Sequence, residues 1–212
     1  MYKRQGFRGE ALSSIAAVSR VEMITKPADA LTGTRYVIEG SKEIADEEIG
    51  APDGTTFLVR DLFYNTPARR KFLKTAQTEG TYISDMLEKL ALSHPDISFK
   101  YINNNQTRLH TSGNGKKRDL IYHIYGREIA AALLEVNYKG EYFSLSGYIG
   151  KPVINRGNRN YENYFINGRY IKSSLLSRSI EEAYHNFLMQ HQYPFCVLYF
   201  SCLLYTSDAA DD

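Results

Sequence analysis

Gly6, Phe7, Arg8, Gly9 and Glu10 open a stretch reading GFRGEAL, in which two glycines frame an arginine just before an apolar run, LSSIAAVS. Glycine lets backbone approach a ligand closely, and a helix N-terminus offers unpaired N–H groups and the positive end of a dipole. Arginine adds charge-assisted hydrogen bonds to phosphate oxygens. The chemistry on offer is phosphate binding, although a loop that merely starts a helix draws on the same residues. No Gly-Lys-Ser/Thr follows, so this is not a Walker A loop, and the three-glycine dinucleotide fingerprint is missing. Asp53-Gly54-Thr55-Thr56 is a second candidate, a turn able to present N–H groups and hydroxyls to a ligand or to serve only as a turn. Arg69, Arg70 and Lys71 follow Pro67 on the first turn of a short helix, where they oppose its dipole and hint at a nearby anion or at acidic partners within the fold. Lys151, Arg156, Arg159, Arg169 and Lys172 alternate with Tyr161, Tyr164 and Tyr170. That pattern suits a nucleic-acid face, and equally a tyrosine-rich sheet core with a solvated basic rim. The five histidines show no ligand spacing, so no metal site is expected, and neither HExxH nor GxSxG is present.

Composition sets the frame for these residues. The chain has 212 residues, 43% hydrophobic and 24% charged, enough for one large domain or two modest ones. Net charge is only +2, but residues 151–178 hold six Lys or Arg against one acid, a local +5. Asn65 to Lys74 adds four bases with no acid, so a polyanion can be met on one face. The two cysteines, Cys196 and Cys202, form neither a disulfide framework nor a zinc pattern and suit a reducing compartment. No run approaches the ~18 apolar residues of a membrane span, so no membrane is expected and the location reads as cytoplasmic.

The elements that must hold the candidates can be read in order. Apolar spacing predicts a helix over residues 10–18, and alternation predicts strands at 20–26, 34–39 and 55–61. Pro67 suits a first helical position, and an apolar stripe of Ile83, Met86, Leu87, Leu90 and Ala91 predicts a helix over 78–93. A hairpin is expected from 97–102 and 107–111 across three asparagines, and the polar SGNGKKRD stretch is placed as a linker. Beyond it the pattern gives a helix at 119–125, a strand at 142–149, a hairpin in YFINGRYI around Asn167-Gly168, a helix at 173–189 and a buried strand at 195–200.

Taken together, GFRGEALSSIAAVS, GTTFLVRDLFYNTPARRKFLK and YFINGRYI resemble the MutL family of DNA mismatch-repair ATPases, over residues 6 to about 201. The resemblance implies an α+β chain: part of a GHKL-type ATPase α/β sandwich at 6–112, a linker at 113–118, and a ribosomal protein S5 domain 2-like domain at 119–202. Residues 1–5 and 203–212 match nothing expected at those places and read as foreign sequence. By the same resemblance Gly6, Phe7, Arg8, Gly9 and Glu10 lie on the family's lid over the ATP phosphates, and Gly54 and Thr55 on a nucleotide-contacting turn. Arg169 falls on the DNA groove, with Arg156, Arg159 and Lys172 as further DNA contacts. The implied cofactors are ATP and Mg²⁺. The implied partners are duplex DNA, a MutS-like mismatch-recognition protein, a downstream nuclease and helicase, and a second copy in an ATP-driven dimer, in the bacterial cytoplasm at the nucleoid. The family places its general-base Glu, Mg-binding Asn and adenine-reading Asp upstream of Gly6, so the 212 residues alone are expected not to turn over ATP. The competing expectations are a non-catalytic DNA-binding module built on the second domain and an interaction scaffold.

Overall fold

The computed structural model describes residues 10–202, and the chain divides into two compact units, Met1–Thr75 and Ala76–Asp212. In the first unit, α1 (Glu10–Ala17) leads into β1 (Arg20–Lys26), β2 (Gly33–Glu39), β3 (Lys42–Ile49) and β4 (Gly54–Arg60), and the four-residue α2 (Pro67–Arg70) follows. The strands form one antiparallel sheet in the order β3-β2-β1-β4. α1 was expected at these residues, and its end is fixed by Ser19, whose buried hydroxyl donates to the Ile15 carbonyl at 2.6 Å.

β3 was not expected. Its sequence, KEIADEEI, is too acidic to resemble a core strand. It pairs as an edge strand, and its acids find partners on β2: Arg35 donates to Glu47 at 3.0 Å and Tyr36 to Glu43 at 3.0 Å. Charge on an edge strand also discourages sheet-to-sheet association.

The second unit begins with α3 (Ala76–Ser93) and the hairpin β5 (Lys100–Asn103) and β6 (Gln106–His110), then α4 (Lys117–Tyr125) and α5 (Arg127–Ala131). β7 (Leu133–Lys139), β8 (Phe143–Gly150), β9 (Glu162–Ile166), β10 (Arg169–Ile171), α6 (Ser174–Tyr184) and β11 (Cys196–Cys202) complete it. The five-stranded sheet runs β10-β9-β11-β8-β7; β9 and β11 are parallel and the other pairs antiparallel. Successive strand residues point to opposite faces. Phe165 and Val197 therefore pack with Leu92, Ile121 and Phe195, from α3, α4 and the approach to β11. Their neighbours Tyr164, Cys196 and Leu198 pack on the other face with Leu176 and Ile180 of α6.

The division between units falls after Thr75 and not at the expected linker, 113–118. The physical reason is core sharing: Ala91 and Leu92 of α3 and Leu109 of β6 belong to the same cluster as Phe165, and Tyr199 donates its hydroxyl to the Leu92 carbonyl at 2.9 Å. The glycine-bearing stretch is a tight connection inside the second unit. Lys117 at its end reaches the Ser146 hydroxyl at 3.2 Å and lies 3.9 Å from the centre of the Tyr199 ring. α6 stops at Tyr184, five residues before the expected end, and α5 and β7 were not anticipated.

Candidate functional site

Gly6, Phe7, Arg8 and Gly9 lie outside the described residues; Glu10 is the first residue of α1 and is exposed. What the structure does show is how α1 is held. The DLFYN segment after β4 folds back on it with left-handed backbone at Asp61 and Phe63 (φ 55° and 64°). There the Phe63 N–H donates to the Val18 carbonyl at 2.7 Å and the Asn65 amide to the Ala17 carbonyl at 2.9 Å. Arg20 lies over the Tyr64 ring at 5.4 Å and pairs with Glu39 and Asp61 at 3.0 and 3.3 Å. Two sequence strings some fifty residues apart thus meet at one end of one helix.

Gly54 opens β4 at φ +112°, a conformation that disfavours side chains, and a Cβ there would meet nothing within 4 Å. The backbone is therefore open to an approaching group. Thr55 sits opposite Thr25 across the β1–β4 ladder, their hydroxyls 2.8 Å apart, and Lys26 pairs with Asp53 at 2.5 Å. Gly54, Thr55 and Thr56 are all exposed. The turn thus offers hydroxyls and backbone at the surface, with its acid already neutralised. Arg69 and Arg70 make up half of α2, whose N-cap, Thr66, makes no side-chain cap bond.

The four basic residues expected on DNA separate into different environments. Arg169 opens β10 immediately after the Asn167-Gly168 turn, whose φ values of 48° and 79° are those of a type I′ hairpin. It is exposed and has no carboxylate within 4 Å among the described residues. The turn carrying it is anchored, because the Asn167 side chain donates to the Cys202 carbonyl and accepts from the Cys202 N–H, both at 3.1 Å. Lys172, three residues on, is also exposed. Arg159 is already engaged. It holds Glu181 through two hydrogen bonds of 2.5 and 3.0 Å and lies over the Tyr193 ring at 4.8 Å. Arg156 stacks on Tyr161 at 4.9 Å and sits on a backbone bridge to Tyr193. The structure brings Arg159 and Lys172 to one cavity of about 790 Å³; Arg156 and Arg169 are not among its lining residues.

That cavity is also lined by Tyr82, Glu162, Ser174, Ser177 and Arg178, none of which stands in a motif that marks a site. Glu162 was legible as the only acid in residues 151–178, at the start of the strand ENYFI. Burial pushes its carboxyl above the usual carboxylate range, against hydrogen bonds from Ser177 and Tyr164 that pull it down. The Cys196 thiol, wholly buried, is pushed up to about 12 by desolvation and is an inert packing group. Among the described residues no cluster of three or more His, Cys, Asp or Glu side chains converges as a metal site, and no helix is long and apolar enough to cross a membrane.

The two α+β units, a four-stranded and a five-stranded sheet with their helices, are of the class of GHKL-type ATPase regions. The fold matches the Aquifex aeolicus MutL ATPase domain complexed with ADP at a TM-score of 0.74 and 25% identity, over 91% of this chain and 71% of that one. It also matches the N-terminal domain of a DNA repair protein at a TM-score of 0.78 and 24% identity, over 93% and 65%.

The chain belongs to the MutL family of DNA mismatch repair proteins. The family model described as "DNA mismatch repair protein, C-terminal domain" matches residues 121–208. The MutL of Agathobacter rectalis is 78% identical over 199 residues, covering 94% of this chain and 31% of that protein. The MutL of Thermoanaerobacter pseudethanolicus is 44% identical over 194 residues, covering 92% and 32%. The chain therefore spans about a third of the length of the curated relatives it matches.

Proposed function

We propose that the protein to which these residues belong is a mismatch-repair ATPase that binds ATP in its first unit and duplex DNA through its second. The observation that carries this is the meeting of the two signature strings at α1. Phe63 and Asn65 pin the C-terminal end of α1, the helix that follows the GFRG residues in sequence. In this reading Gly6, Phe7, Arg8, Gly9 and Glu10 wrap the ATP phosphates, and Gly54 and Thr55 contact the nucleotide from the β4 turn. The open surface at Gly54 fits such a ligand. Bound ATP supplies the phosphoanhydride to be cleaved and Mg²⁺ neutralises its charge. Closure of the lid favours a dimer of the N-terminal regions around DNA, and slow hydrolysis reopens it. Duplex DNA lies against Arg169, with Arg156, Arg159 and Lys172 as further contacts. A MutS-like mismatch-recognition protein acts before the dimer, and a nuclease and helicase act after it.

The 212 residues as an isolated polypeptide do not supply the family's general base, Mg ligand or adenine pocket, so they bind ATP weakly and release no phosphate above a no-protein blank. Mg-dependent turnover by this polypeptide would overturn that reading. DNA binding is tested by anisotropy of a labelled duplex against salt. Affinity is expected to fall steeply with ionic strength, and Arg169→Glu to abolish binding with the fold intact. Binding indifferent to both removes duplex DNA from the function of unit 2.

A second reading, that the second unit works as a non-catalytic DNA-binding module, is favoured by one observation: Arg156, Arg159, Arg169 and Lys172 all belong to the unit with the continuous core. Duplex affinity unchanged by Gly54→Val and by added ATP would favour it over the nucleotide-gated clamp.

A further inference from the structure

We propose, on the nucleotide reading of the first unit, that Asn65 is a positioning residue: it sets α1, and through α1 the Gly6 to Glu10 segment that wraps the ATP phosphates. The role requires no contact between Asn65 and the nucleotide.

The end of α1 is clasped by two turns that are distant in sequence. Four successive carbonyls accept from outside the helix: Ala16 from the Ser41 N–H at 3.2 Å, Ala17 from the Asn65 amide at 2.9 Å, Val18 from the Phe63 N–H at 2.7 Å and Ser19 from the Gly40 N–H at 3.2 Å. Carbonyls at a helix end have no intrahelical donor, so these partners fix where the helix stops and which way it points. Asn65 is the one side chain among the four donors. The backbone of the clasp is strained: Ser41, Asp61 and Phe63 have φ values of 69°, 55° and 64°, a region that a side chain as bulky as phenylalanine rarely enters. Such strain persists only where the surroundings demand it, and it concentrates at functional sites. Gly40 is required by its φ of +54° and by space, since a Cβ there would meet the Tyr64 hydroxyl at 2.7 Å and the Asn65 amide at 3.3 Å.

Among the described residues α1 has little else to hold it. Its eight residues are fewer than the roughly 12–15 of a helix that is stable alone, Ala16 is its buried residue, and Leu12 and Ile15 are 44% and 36% exposed. With a rise of about 1.5 Å per residue, Glu10 stands roughly 10 Å along the axis from Ala17, so a tilt at the clasp displaces Glu10 and not the clasp itself. A misplacement of about 1 Å at a binding group can cost on the order of a hundredfold. Asn65 thus reaches the phosphates through the helix. Arg20 braces the same clasp, pairing with Glu39 and Asp61 and lying over the Tyr64 ring.

On the 212-residue chain, amide hydrogen exchange at Ile15, Ala16 and Ala17 is expected to rise about tenfold in Asn65→Asp, with the amides of β8 and β11 unchanged. The aspartate keeps the shape and turns the donor into a second acceptor against the Ala17 carbonyl. On the full-length protein, Asn65→Asp should raise the KM for ATP about tenfold and leave kcat within about twofold, because fewer molecules hold the closed lid while those that do react normally. Asn65→His, which restores an N–H donor, should recover most of both. Arg20→Gln, at an exposed position, should shift the KM the same way by about threefold and keeps the test valid if Asn65→Asp fails to fold. Unchanged exchange in α1, or kcat falling with KM unchanged, overturns the proposal. A wild-type full-length protein that neither binds nor cleaves ATP overturns the nucleotide reading itself, whereas ordinary ATP kinetics in wild type and Asn65→Asp alike overturns only the role of Asn65.

Discussion

Phe57 on β4 and Phe165 on β9 are the same side chain on neighbouring kinds of strand, yet the first is 47% exposed and the second not at all. The difference runs through both units. Around β9 and β11 the sheet is covered on both faces, by α3 and α4 on one and α6 on the other. Among the described residues the four-stranded sheet of the first unit is accompanied by the eight-residue α1 and the four-residue α2, and Ile44, Phe57 and Val59 on its strands are exposed. Apolar side chains left at the surface of a sheet contribute little to stability and offer area for whatever else packs there. The second unit supplies its own core, whereas the first has its order fixed mainly by backbone ladders and by the Phe63 and Asn65 bonds to α1.

The largest effect that can break this comparison is truncation of the two phenylalanines. Phe165→Ala should cost about 3–5 kcal/mol, because the cavity it opens is walled by Leu92, Ile121 and Val197. Phe57→Ala should cost below about 1 kcal/mol, as surface changes usually do. Urea unfolding followed by far-UV circular dichroism measures both. Comparable losses at the two sites would mean that the first sheet is covered as thoroughly as the second.

How much could be read in advance follows the same division. β1 was legible to the residue, because RVEMITK alternates and ends at Pro27. The YFINGRYI hairpin was legible because Asn-Gly specifies the turn. β3 was missed because its stability comes from cross-strand ion pairs such as Arg35–Glu47, which have no periodicity in one dimension. The compact units part after Thr75 while the linker-like SGNGKKRD lies within the second, where the Tyr199 bond to the Leu92 carbonyl ties together residues 107 apart. At the candidate sites, Arg169 follows the Asn-Gly turn and Gly54 opens β4, and both are exposed. Arg159 could not be judged from sequence, since its pairing with Glu181 brings α6 against the 3₁₀ turn before β9. Glu162 was visible as an isolated acid, but its unpaired oxygen belongs to packing.

A second contrast concerns pH, and its expected effect is smaller. Burial raises the Glu162 carboxyl above its unfolded value, so the folded state binds its proton more tightly. Stability from this group is fully present below the ordinary carboxylate range and is lost as pH rises through the raised value. Glu162→Met should therefore flatten the fall in stability across that window and leave the protein more stable at pH 7, by roughly 1 kcal/mol, the scale of an unpaired buried oxygen. Urea midpoints at pH 4.5 and 7 measure it. A variant less stable at both values would show that the carboxylate is satisfied in place.

The smallest effect has the opposite sign and belongs to the first unit. Glu22 on β1 receives Arg35 at 2.7 Å and Arg60 at 3.1 Å, and these partners, Arg35 foremost, hold its carboxyl below the usual range. Its contribution is present above the unfolded value and is lost as pH falls through the lowered one. Arg35 and Arg60 are both solvated, so salt screens the pairs. Glu22→Gln should lower the thermal midpoint slightly at low ionic strength and near neutral pH, and the difference should vanish in about 1 M salt and again in acid. Persistence of the difference in high salt would place the Glu22 pairs in a shielded environment, and the first sheet would then be better covered than Phe57 and Val59 indicate. Salt sensitivity at Glu22 beside salt insensitivity at Glu162 would locate the solvent boundary independently of either phenylalanine.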